Sequence, residues 1–192
     1  MITVFKLHWK TDDTFEILEQ KHDVDLSFDN ILLLLEMLND DELDDASKIE
    51  LGIEFLLGKP LGLDIEDQHQ VFNELFERFI QAEKQVRTDR LGNPLPVQDE
   101  SKPNYCFSHD AEYIYASFMQ AYGIDLIEEQ GKLHWVKFKA LLDGLPDDTK
   151  FRQVVDIRMR KLPTGKGTAD ERKSLMALKK IYALPGQEVD EE

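Results

Sequence analysis

Cysteine is almost missing from this chain. Cys106 stands alone among 192 residues, so no intrachain disulfide can form and a reducing cytoplasm is the expected setting. Positive charge is scarce too: 23 Lys/Arg stand against 39 Asp/Glu, a formal net charge of −16. That balance argues against general nucleic-acid binding, because phosphate contacts need a basic surface. Long apolar runs are lacking; the longest, "ILLLLEML", is interrupted by Glu36 and too short to span a bilayer. The opening "MITVFKLHWKTDD" has no basic stretch followed by an apolar core, so a secretory signal is not expected. There is no dinucleotide fingerprint and no nucleophile-elbow serine. These absences point to a soluble protein of the cytoplasm, with no enzymatic activity, cofactor or membrane partner expected.

What charge there is lies unevenly. Residues 1–86 hold 7 Lys/Arg against 21 Asp/Glu, a net of −14, whereas residues 149–182 hold 10 against 3, a net of +7. Such asymmetry fits an electrostatically oriented partner or two halves that face each other. Two ordinary solvated surfaces are the plain alternative.

The hydropathy pattern predicts a mainly α fold: a small N-terminal β-hairpin and about seven helices in two helical subdomains. In "TFEILEQKHDVDLSFD", Phe15, Ile17, Val24 and Leu26 alternate with polar residues, and "QKHD" is read as the turn between two strands. Residues 2–9 offer one further strand. Ser27 is the expected N-cap of a helix running to about Asn39. A second helix carries Ile49, Ile53 and Leu56 and stops at Gly58. Asp64 should cap a third through about Val86, with Ile65, Phe72, Leu75, Phe76 and Phe79 on its apolar face. These elements form an acidic unit over residues 1–86.

Residues 87–104 carry three prolines and little periodicity, and read as a linker or exposed loop. A C-terminal helical unit is expected over 105–185. Ser108 is its first candidate cap and Gly123 closes the first helix. The next helix puts Trp135, Phe138 and Leu142 on one face and ends at Gly144 and Pro146. Another must stop at Pro163, and a capping box of Thr168 and Glu171 opens the last, which runs to about Leu184. Residues 186–192 read as a disordered acidic tail.

Residues 111–122 raise the sharpest question, because aromatics crowd them. On a helical wheel Ala121, Ile114, Phe118, Ala111, Tyr122, Tyr115 and Met119 share one arc, with Glu112, Ala116, Gln120 and Ser117 opposite. The arc reads as core, which makes Tyr115, Phe118 and Tyr122 core aromatics together with Trp135 and Phe138. Tyr113 falls amid the polar side, either as an anchor for the linker or as part of a partner surface.

Candidate chemistry is thin. Glu66 and His69 have the i, i+3 spacing of di-metal bundles, but the second pair and the extra glutamates those sites need are missing, so no metal site is expected. "PTGKGT" at 163–168 fails as a phosphate loop: Arg160 stands where a glycine is required, and Gly167 stands where Ser or Thr is required. Cys106, with His109 three positions on, reads as a buried or half-buried structural thiol rather than a nucleophile. Arg158 falls between Phe151 and Val154 on an apolar face shared with Val155, Met159 and Leu162. A guanidinium there must find a carboxylate or several carbonyls, since an unpaired buried charge is costly, and a carboxylate inside the C-terminal unit is the expected partner. Ile157 projects among Lys150, Arg160 and Lys161, which suits either a protein-binding patch or a stray surface isoleucine.

The string "CFSHDAEYIYASFMQAYGIDL…LHWVKFKALLDGLPDDTKFRQVVDIRMRKLP…ADERKSLMALKKIYALP" resembles the bacteriophage gene product fifteen family, over residues 105–185 strongly and over 14–86 more loosely. The departure is "HWVKF", where a second tryptophan is expected. The resemblance implies a phage or prophage tail-cluster protein and a tail assembly chaperone. Such a protein would be non-catalytic and would bind the tape-measure chain, the tail tube protein or both. A minor structural tail protein is the alternative. A helix-turn-helix built from residues 149–162 and 168–184 is the weaker one. Self-association is left open.

Overall fold

The computed structural model describes residues 11–81, 104–165 and 167–186. The possible strand at 2–9, residues 82–86, nearly all of the 87–104 linker and the acidic tail from residue 187 lie outside the described residues. Among those described, seven helices and one two-stranded antiparallel sheet make a mainly α protein. They divide into two compact units: residues 11–81 with 129–140, and residues 104–128 with 141–186.

In the first unit, β1 (Thr14–Ile17) pairs with β2 (Gln20–Asp23), with Ile17 opposite Gln20. "QKHD" is therefore the second strand and not the turn. The turn is Leu18-Glu19, and both residues are left-handed, with φ of 49° and 62°. Positive φ at both positions is what a type I′ two-residue hairpin needs to match strand twist. The sequence carries none of the Asn-Gly chemistry that announces such a turn, and it was missed for that reason. Val24 and Leu26 are buried but lie beyond the strand.

Helix α1 (Phe28–Leu38) follows, then α2 (Asp45–Leu57) and α3 (Ile65–Leu75), which continues as one π-helical turn over Phe76–Ile80. Asp44 caps α2 by accepting the Ser47 N–H at 2.9 Å, and Asp64 caps α3 by accepting the Asp67 N–H at 3.0 Å. Gly58 ends α2 with φ +66°. Ser27 sits at the N-cap position of α1, but its hydroxyl donates to Asp25 Oδ1 instead of capping. Ile31, Leu34, Ile53, Leu56 and Leu75 are fully buried, and each such side chain contributes roughly 1.5–3 kcal/mol through removal from water. Ile65 is 44% exposed and does not join this face, because it sits in the first turn of α3, ahead of the packed residues. Gly52 marks the closest approach of α2 and α3: a Cβ there would lie 2.4 Å from the Phe72 ring.

Residues 129–140 fall inside the expected 105–185 unit, yet they pack with the first one. Backbone bonding explains it. Phe28 N–H donates to the Leu133 carbonyl and Trp135 N–H to the Leu26 carbonyl, at 2.9 and 2.7 Å. Gly131 N–H reaches Asp29, and the rings of Phe28 and Phe138 stack at 4.9 Å. None of these partners is close in sequence, so periodicity could not reveal them.

The second unit contains α4 (Ala111–Tyr122), α6 (Lys150–Met159) and α7 (Ala169–Tyr182); α5 (Trp135–Asp143) begins in the first unit and ends in the second. Helix α4 starts after Asp110, not at Ser108, and closes at Gly123 with φ +66°. Its buried face is turned toward Ser117. Ile114, Ser117 and Phe118 are buried while Ala111 and Met119 are exposed, because Ser117 is needed inside for a hydrogen bond described below. Helix α6 stops at Met159, before Pro163 is reached, and Met159 is 43% exposed. Thr168 forms no capping box: its hydroxyl donates to the Gly165 carbonyl, which removes it from the N-terminus of α7.

Candidate functional site

The densest chemistry of the second unit surrounds Arg158 on α6. Its guanidinium is paired with the Asp110 carboxylate through two bonds of 2.7 Å, with side chains only 6% and 0% exposed. Arg158 Nε donates to the Tyr182 carbonyl at 2.5 Å and Nη1 to the Asn104 carbonyl at 3.1 Å. Asp110 in turn accepts the Cys106 N–H at 3.0 Å. This bidentate pair therefore ties the lead-in to α4, the end of α6 and the end of α7. It also explains why Asp110 does not cap α4: both carboxylate oxygens are occupied. Four of the five guanidinium N–H groups are thereby engaged within the unit.

Two further long-range bonds complete α6. Ser117 Oγ accepts the Phe151 N–H at 3.0 Å and donates to the Tyr113 carbonyl at 2.6 Å, so α4 supplies the cap that α6 lacks from its own Thr149. Lys179 Nζ donates to the Arg158 carbonyl at 2.7 Å at the other end. A serine on the polar side of a wheel gave no signal of this role.

The partner-binding candidates separate into two groups. Lys150 donates to the Tyr182 hydroxyl at 2.6 Å and lies over the rings of Tyr182 and Tyr113, which meet edge to face at 6.1 Å. Tyr113 and Lys150 are thus engaged inside the unit with α7, and the expected anchoring of the linker by Tyr113 lies outside the described residues. Ile157 is half-buried, Arg160 pairs with Asp156 one turn back, and Lys161 is exposed. Cys106 is exposed, contrary to the buried or half-buried reading, because its backbone and not its thiol faces Asp110.

Of the core aromatics, Phe118, Trp135 and Phe138 are buried. Tyr115 and Tyr122 are half-buried and hydrogen-bonded, to Asp125 and to the Leu141 carbonyl. Burial, reinforced by the Asp125 carboxylate, holds the Tyr115 hydroxyl above its ordinary value. In the first unit Arg78, which the wheel did not single out, lies over the Phe15 and Phe79 rings at 5.7 and 4.7 Å. Among the described residues no group of three or more His, Cys, Asp or Glu is placed to hold a metal, and no helix is long and apolar enough to cross a membrane.

What the described surface does offer is apolar exposure at helix faces: Leu33 on α1, Met119 on α4, Met159 on α6, and Leu178 and Ile181 on α7. The most exposed of these, Ile181 at 70%, lies on the basic helix α7.

A mainly α protein with an N-terminal hairpin, whose polar clusters hold helices together, is the class that these observations define. The family model described as Bacteriophage Gp15 protein matches residues 10–184, and the chain belongs to that family. It is a bacteriophage protein. No curated protein and no solved structure matches it.

Proposed function

We propose that the chain is a non-catalytic tail morphogenesis protein, a tail assembly chaperone that covers apolar segments of the tape-measure chain, the tail tube protein or both, in the cytoplasm of the host cell. Family membership over residues 10–184 carries the reading. The physical support is a helical body with exposed apolar side chains on several helix faces and a net charge of −16 that would keep it and a bound client dispersed. A helical client with an apolar seam is the natural occupant of such faces.

Helix-turn-helix binding of nucleic acid finds less support than the sequence offered it. Residues 160–168 separate α6 from α7, longer than the three- to four-residue turn of that motif. The test is co-purification of tagged chain with identified tape-measure or tube protein from cells making phage tails, alongside the protein content of finished particles. Co-purification with absence from particles is expected. Presence in particles at stoichiometric amounts would select a minor structural tail protein instead.

A further inference from the structure

Helix α7 has a face of exposed apolar side chains that is not packed against the described residues of its unit. Leu175 is its one buried residue. On the other side Ala177, Leu178 and Ile181 are exposed, Leu178 by 39% and Ile181 by 70%. With Ser174 they fall at i, i+3, i+4 and i+7, a single stripe. Beside the stripe runs a shallow groove of about 400 Å³, lined by Ala169, Arg172, Lys173, Met176, Ala177 and Lys180. The helix carries four cations from Arg172 onward, and its two acids, Asp170 and Glu171, stand in its first turn.

Cations in a last turn ordinarily complement the negative end of the helix dipole. That accounts for Lys179 and Lys180, and Lys179 also closes the end of α6. It does not account for Lys173 in mid-helix, nor for an isoleucine left in water next to the basic row. A phosphate backbone would have no use for Leu178 and Ile181, whereas an amphipathic helix uses both parts of this face at once.

We propose that this face of α7 docks an acidic amphipathic helix of the client protein, with the client's apolar seam on Ala177, Leu178 and Ile181 and its carboxylates beside Lys173. The assignment rests on the chaperone reading and names the surface through which it acts. Charge selects the occupant: a client helix with basic flanks would meet like charge along the groove.

The probes are two stapled helical peptides with the same leucine seam, one flanked by Glu and one by Lys, titrated by fluorescence anisotropy against the full chain. The Glu peptide is expected to bind at least about tenfold more tightly and to weaken with salt. Leu178→Glu with Ile181→Glu should reduce that binding by about tenfold or more with the thermal midpoint kept, since both positions are exposed. Leu33→Glu on α1 should leave it unchanged. Equal binding of the two peptides, no binding of either, or binding indifferent to the double variant overturns the proposal. So does wild-type self-association that the double variant abolishes, which would give the face to a second copy of the chain. If tape-measure protein co-purifies equally with wild type and double variant, the surface is wrong and the function stands. If it co-purifies with neither, the function fails.

Discussion

The two units begin and end their helices by different means. In the first, α2 and α3 open on their own aspartates, Asp44 and Asp64, each within three residues of the N–H it satisfies. In the second, α6 is capped by Ser117 from α4 and closed by Lys179 from α7, with Arg158 and Asp110 tying the same three elements. In the first unit α2 and α3 thus take their starts from neighbouring residues, while the start of α1 is held by backbone bonds to Leu133 and Trp135 and the remaining cohesion is apolar packing. The second depends on polar groups that meet only when the fold is complete. Its helices should therefore lose their ends together, while α2 and α3, capped from their own residues, should yield one at a time.

Breaking the ion pair is the strongest way to expose this difference. Arg158→Ala leaves Asp110 charged and buried, and should cost about 3–5 kcal/mol of unfolding free energy in urea denaturation. Arg158→Met combined with Asp110→Leu should cost less than either single loss, because no orphan charge remains. A double variant as costly as the sum of the singles would show that the pair does not act as a unit.

Capping sharpens the comparison at lower cost. Ser117→Ala strands the buried Phe151 N–H and should destabilise by about 1–3 kcal/mol. Asp64→Ala removes an exposed local cap, for about 1 kcal/mol. Thr168→Ala should be close to silent, since that hydroxyl does not cap α7. Gly52→Ala tests the apolar side of the contrast: the added methyl meets the Phe72 ring, for about 1–3 kcal/mol of overpacking, and Phe72→Leu in the same chain should recover part of the loss.

The smallest effects are those of pH. Hydrogen bonds from the Ser47 backbone and side chain lower the Asp44 carboxyl below its ordinary 3.8. A lowered folded value means stabilisation that is present above 3.8 and lost as pH falls through the lower one. Asp44→Asn should flatten the acid limb of the stability curve. Tyr115 runs the other way: its folded value is raised above 10.0, so its contribution is complete below 10.0 and lost as pH rises through the raised value. Tyr115→Phe should flatten the alkaline limb and leave the acid one alone.

The same contrast decides what could be read from residues. Asp44, Asp64, Gly58 and Gly123 act on backbone within a few positions, and their roles follow from local chemistry. Arg158 declared a need for a carboxylate or several carbonyls because it stood on an apolar face, yet only the fold supplies Asp110 and the carbonyls of Tyr182 and Asn104. Ser117 gave no such sign, and Thr168 gave a false one, because a hydroxyl takes whichever carbonyl or N–H tertiary structure brings near. The segment 129–140 looked like part of its chain neighbours; bonds to Leu26, Phe28 and Asp29 draw it elsewhere. The exposed face of α7 was hidden for a related reason. Amphipathicity reports that a helix has an apolar side, not which side the rest of the molecule covers.

The most direct measurement is the soluble fraction of the tape-measure protein from the same phage, made in a bacterial host with and without this chain at matched levels. The soluble fraction should rise with the chain present and fall back with Leu178→Glu and Ile181→Glu. A tape-measure protein and a tube protein that are each no more soluble with the wild-type chain than without it would contradict the account.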